Sequence, residues 1–136
     1  MSNPPVEQIE VDFVVIKEDY SRYLAEDGTI IKAKIVVRKL FRTPIVTAQG
    51  YPAEVGFDAT NMVAAIVPQS LKRQPSKEQW NPAVDVGKEI KFTRQDEKEQ
   101  EYMTVDGFRI TLRPVLVKLI RYEKYNGFGE PIYGTQ

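Results

Sequence analysis

"YLAEDGTIIKAKIVVRKLFR" at 23–42 is echoed at 102–121 by "YMTVDGFRITLRPVLVKLIR". Setting Asp27-Gly28 on Asp106-Gly107 fixes an offset of 79, and thirteen identical pairs then fall between positions 10 and 54 and their counterparts. They include Glu10/Glu89, Phe13/Phe92, Glu18/Glu97, Tyr23/Tyr102, Ile31/Ile110, Leu40/Leu119, Gly50/Gly129 and Pro52/Pro131. With one residue's shift, "NPPVE" at 3–7 also lies against "NPAVD" at 81–85. Two unrelated hairpins with a common turn would explain Asp-Gly and the alternation around it. They would not explain the matching Asn-Pro starts and Gly-x-Pro ends. The chain therefore reads as an internal duplication, 3–54 and 81–133, joined by a connector at 55–80. A period near 79 is too long for a solenoid. The expectation is an all-β single domain over 1–136 with six to nine strands and little helix, in which two tandem hairpin units related by a pseudo-two-fold close into a barrel or sandwich.

Within each copy, "IEVDFVVI" alternates Ile9, Val11, Phe13 and Val15 with Glu10, Asp12 and Val14, and "KEIKFT" repeats the pattern with Ile90 and Phe92. Such a period of two predicts a half-buried strand. Asp-Gly then predicts a two-residue type I′ hairpin, with Tyr23 opposite Lys32 and Tyr102 opposite Thr111. On the strand leaving the first turn, Ile31, Ala33, Ile35, Val37 and Phe41 share a core face. Ile110, Leu112, Leu116 and Ile120 do so in the second copy. Pro114 cannot donate to a ladder and marks a bulge, bend or edge. "RQDEKEQE" at 94–101 reads as a charged strand, and "YEKYNGFGEPIY" as a C-terminal hairpin about Asn126-Gly127. The run "NMVAAIVP" at 61–68 has no counterpart in the second copy, so either the halves share this strand or one half lacks it.

Composition removes several chemistries. There is no Cys and no His, which eliminates disulfides, thiolate nucleophiles, His-dependent triads and the HExxH zinc motif. No Gly-rich phosphate loop or calcium-loop pattern occurs, and neither cofactor nor metal is expected. Nineteen Lys and Arg balance nineteen Asp and Glu, so any electrostatic function rests on local patterning. The N-terminus lacks the basic and apolar regions of a signal peptide. "MVAAIV" at 62–67 is far short of a membrane span. A soluble, cytoplasmic protein without a membrane partner is expected.

What charge pattern exists is repeated. Lys34/Arg113 and Arg42/Arg121 recur on the strand face opposite the core, extended by Arg38, beside Tyr23 and Tyr102. Lys39 and Lys118 recur on the otherwise apolar face, where a charge is costly unless paired or able to reach solvent. For these two, a bulge or strand end that frees the stem is favoured over burial against Glu10 and Glu89 or Glu18 and Glu97. Together these nine residues form the candidate binding surface. The reading favoured is a non-enzymatic assembly or interaction module, self-associating through an open edge strand left by "NMVAAIVP". The alternative is a small barrel that binds single-stranded DNA or RNA through its basic stripes.

Overall fold

The computed structural model describes residues 8–136. The Asn-Pro start at 3–7 lies outside the described residues. Eleven strands and one short 3-10 turn, Gln69–Leu71, make up the described chain. The strands are β1 (Ile9–Val11), β2 (Phe13–Lys17), β3 (Ser21–Ala25), β4 (Ile30–Arg42), β5 (Val55–Ile66), β6 (Lys88–Ile90), β7 (Phe92–Asp96), β8 (Gln100–Thr104), β9 (Arg109–Leu112), β10 (Leu119–Tyr125) and β11 (Pro131–Thr135). They form three antiparallel sheets, ordered β1-β4-β3-β7 with β5 on β4, β11-β10-β6, and β2-β8-β9. Among the described residues no closed barrel forms. The strand count exceeds six to nine because each N-terminal strand breaks once, at Asp12 and at Lys91. Its two halves then join different ladders. β1 pairs β4 and β2 pairs β8, while β6 pairs β10 and β7 pairs β3.

The ladders correspond at the offset seen in the sequence. Glu10 faces Phe41 as Glu89 faces Ile120, and Phe13 faces Thr104 as Phe92 faces Ala25. The turns correct the expected register by one residue. Tyr23 faces Ile31, not Lys32, and Tyr102 faces Ile110, not Thr111. Gly28 N–H donates to the Ala25 carbonyl and Ala25 N–H to that of Thr29, closing a three-residue loop. Positive φ falls only on glycine among the described residues, at 91° for Gly28 and 97° for Gly107. A type I′ turn would need it at the preceding Asp as well. The Asp carboxylate at 27 instead accepts the Thr29 N–H at 2.9 Å, which stabilises the loop with Asp at negative φ.

The chain divides into two compact units. The first contains the chain through Asp19, Lys34–Met62 and Glu99–Arg113; the second contains Tyr20–Ala33, Val63–Lys98 and Pro114–Gln136. The first unit thus contains the hairpin of β8 and β9, and the second the turn after β3. The first core gathers Val37, Leu40 and Tyr102 with Phe13, Ile35, Ala59, Ile110 and Leu112. The second gathers Tyr23, Ala25, Ile31, Ile90, Leu116 and Leu119 with Ala33, Ala65, Phe92 and Tyr133. In each, Phe13 or Phe92 meets the tyrosine edge to face, at 5.7 and 5.6 Å between centroids. The unmatched strand β5 supplies Ala59 to one core and Ala65 to the other.

Burial of the two tyrosines obliges their hydroxyls to find partners. Tyr102 donates to Glu18 at 3.0 Å and accepts from Gln100 Nε2 at 2.6 Å. Tyr23 donates to Glu97 at 3.3 Å and accepts the Leu116 N–H at 3.2 Å. Burial, with the facing Glu18 carboxylate, pushes the Tyr102 hydroxyl up to about 12, so it stays a donor. Tyr102→Phe leaves the Gln100 amide short of a partner and should cost about 1–3 kcal/mol. Tyr23→Phe should cost a similar amount by stranding the Leu116 N–H. Thermal melts of the two variants check both losses, and an unchanged midpoint would mean that the hydroxyls contribute nothing.

Candidate interaction surface

Most of the repeated basic residues are matched by carboxylates. Arg38 pairs with Asp58 at 2.6 Å and also donates to Thr60 on β5. Arg113 meets Glu99 at 2.6 Å, Arg42 meets Asp106 at 2.7 Å, and Arg121 meets Asp27 at 3.2 Å. Lys39 Nζ lies 3.7 Å from Glu10, with both side chains more than half exposed. Lys34 is half-buried and engaged. Lys118 is half-buried and joins no ion pair among the described residues. Alternation fails where the two repeated lysines sit. Val37 and Leu40 are buried with Arg38 and Lys39 exposed between them, and Leu116 and Leu119 are buried around Val117 and Lys118. The slip carries Leu40 into the core and turns the Lys39 ammonium to water. Tyr23 and Tyr102, at 1% and 0% exposed, lie inside and offer no ring face for stacking.

The two Asp-Arg pairs, equivalent in sequence, differ in surroundings. Asp27 is the more enclosed, and its Oδ2 also accepts the Tyr133 hydroxyl at 2.7 Å. Tyr133 in turn meets Thr29 Oγ1 at 2.8 Å. Burial pushes the Asp27 carboxyl upward, but the bonds from Tyr133 and Thr29 and the charge of Arg121 outweigh it and hold it below the usual carboxylate range. Asp106 is depressed chiefly by the Thr104 hydroxyl and by Arg42, whose guanidinium lies 5.5 Å from the Phe108 ring centre. Among the described residues no group of three metal-binding side chains forms. A shallow, open groove, mostly apolar, is lined by Leu24, Ala25, Glu26, Lys91 and Phe92.

The exposed surface is instead notable for apolar strand residues. On β2, Val14, Val15 and Ile16 are 56%, 51% and 48% exposed. Among the described residues β2 is the outer strand of its sheet, paired on one side with β8. The sequence placed Val15 on the buried face; the ladder stays regular from Phe13 to Val15 and slips only between Val15 and Lys17, yet Val15 is half exposed. The signal available in the sequence was the unbroken "VVI". Its counterpart in β7, also an outer strand, is Thr93-Arg94-Gln95. β5 pairs β4 alone among the described residues and exposes Phe57, Met62, Val63 and Ile66.

The enclosed pair sets a pH dependence. Because Asp27 is depressed in the folded chain, its stabilisation is complete above the unfolded carboxyl value near 4 and fades as pH falls through the lower folded value. Asp27→Asn should cost about 1–3 kcal/mol at neutral pH and flatten the acid limb of stability against pH. Asp106→Asn should lower the midpoint less. Denaturant titrations between pH 2 and 7 check the ordering.

In comparisons with known proteins, no family model, no curated protein and no solved structure matches this chain.

Proposed function

We propose that the chain is a non-enzymatic assembly module that self-associates through an open strand edge, built from a duplicated hairpin unit whose two copies have exchanged hairpins. The observation that carries the reading is the outer edge of β2. There Val14, Val15 and Ile16 are about half exposed, whereas the equivalent outer strand of the other unit presents Thr93, Arg94 and Gln95. The fold accepts polar residues at these positions, so the apolar ones serve something other than the chain's own core. An unpaired strand edge bearing apolar side chains is a template for another strand. No Lys, Pro or inward charge blunts the centre of β2. β5, which holds most of the unmatched "NMVAAIVP", packs both of its partly covered alanines into cores, which gives it a structural role first.

The nucleic-acid alternative has less behind it. Phosphates would have to displace carboxylates from Arg38, Lys39, Arg42, Arg113 and Arg121, and the two repeated tyrosines are enclosed.

Light scattering over a wide concentration range is expected to show concentration-dependent association. Val15→Arg, which installs the residue found at the equivalent position in β7, should leave stability within about 0.5 kcal/mol of wild type and suppress association. A strict monomer at the highest concentration overturns the reading. Association that survives Val15→Arg moves the interface to β5.

A further inference from the structure

We propose that β2 pairs antiparallel with β2 of a second copy of this chain, in the register that sets Val14 against Val14 and Asp12 against Lys17. The inference rests on the self-association reading and names its partner and geometry. The outer edge reads Asp12-Phe-Val-Val-Ile-Lys17, acidic at one end and basic at the other. Run antiparallel against itself, such a segment meets opposite charge at both ends.

Whether the charges can meet depends on the faces they occupy. A two-fold axis normal to a sheet keeps each residue on its own face, so paired residues must share one. In a regular strand Asp12 and Lys17, five positions apart, point to opposite faces. The bulge changes this. Val15 faces Tyr102 and Lys17 faces Glu101, so two residues of β2 advance over one of β8, and Ile16 is the extra residue. The Asp12 carbonyl accepts the Val105 N–H at 2.9 Å and so continues the ladder beyond Phe13. Counted in steps of the ladder, Asp12 lies two before Val14 and Lys17 two after it. Both therefore share the face of Val14, and the axis falls on Val14, the most exposed of the three apolar residues.

Both charges are free to move into this arrangement. Asp12 is exposed, and its carboxylate accepts the neighbouring Phe13 N–H, a bond that an incoming strand carbonyl can replace. Lys17 is 59% exposed and only 4.0 Å from Glu101, a weak contact. The same register discriminates against the other outer strand. β7 carries Lys91 where β2 has Asp12, and Asp96 where β2 has Lys17. Laid on β7 of another copy, β2 would set Asp12 against Asp96 and Lys17 against Lys91. The polar stretch between them is already committed, with Arg94 on Glu97 at 2.9 Å and Asp96 on Lys98 at 3.0 Å.

Charge exchange tests the register. Asp12→Lys and Lys17→Asp each turn both end contacts repulsive and should weaken self-association roughly tenfold or more, since like charges directly opposite destabilise a strand pair. An equimolar mixture of the two variants restores both attractions and should associate as wild type does. Both variants are to be compared with wild type by thermal melt, so that a folding defect is not read as lost association. In addition, the chain has no cysteine, so Val14→Cys introduces a single thiol, which should form a disulfide dimer under mild oxidation. Wild-type association that neither variant weakens, or a mixture that stays monomeric, overturns the register, as does failure of Val14→Cys to cross-link. A wild type that is monomeric throughout defeats self-association itself.

Discussion

A tyrosine hydroxyl cannot be buried without a partner, and this chain buries two. Tyr23 and Tyr102 lie in the cores of their units, and each donates a hydrogen bond to a glutamate that stands just before the other hairpin. Glu97 precedes the second hairpin and receives Tyr23; Glu18 precedes the first and receives Tyr102. Satisfying both hydroxyls therefore commits each hairpin to the strand of the opposite copy. The split of the N-terminal strands follows. One half of each remains with its own return strand, β1 on β4 and β6 on β10, and the other half takes the foreign hairpin. The breaks at Asp12 and Lys91 are where one strand changes ladders.

Equivalent positions diverge where a backbone group must be matched. Ile35 has an N–H at the point where β4 leaves β3, and the buried Gln100 side chain serves it as a strand would, accepting that N–H at 2.9 Å and returning a bond to the Ile35 carbonyl. The counterpart of Ile35 is Pro114, which has no N–H to satisfy. The counterpart of Gln100 is Ser21, too short for that role, and its hydroxyl instead accepts the Lys98 N–H at 2.8 Å. Proline and serine on one side, isoleucine and glutamine on the other, form two internally consistent solutions to one hydrogen-bonding problem.

Much of the fold was legible because strand period and turn chemistry are local. The all-β class, β4 as a strand, the break at Pro114 and the Asn126-Gly127 hairpin follow from alternation and breakers alone. The hairpin register did not, because Asp-Gly serves both a two-residue loop and a three-residue loop with a bulge, and the choice depends on where the flanking pairs find partners. Nor did the exchange of hairpins, since intracopy and intercopy pairing present identical alternation. The candidate surface was legible as charge but not as partnership. Arg42 and Arg121 find Asp106 and Asp27, residues that turn chemistry alone had seemed to explain. Tyr23 and Tyr102 stood near basic residues in sequence yet close the cores, while the alternation that runs into β2 masked how far its "VVI" is exposed.

Among the described residues two outer strands, β2 and β7, sit at matching positions of the sequence echo, and if both were apolar and alike, β2 of one molecule could add to β7 of the next. That contact joins different surfaces, and nothing in it closes, so it would propagate into open chains. Here the two edges have been made unlike in both respects that matter. β7 has exchanged apolar residues for Thr93, Arg94 and Gln95, and its terminal charges, Lys91 and Asp96, are inverted relative to Asp12 and Lys17. In the proposed register β2 meets opposite charge on another β2 and like charge on β7, so the pairing we propose would close after one partner, where β2 on β7 would propagate.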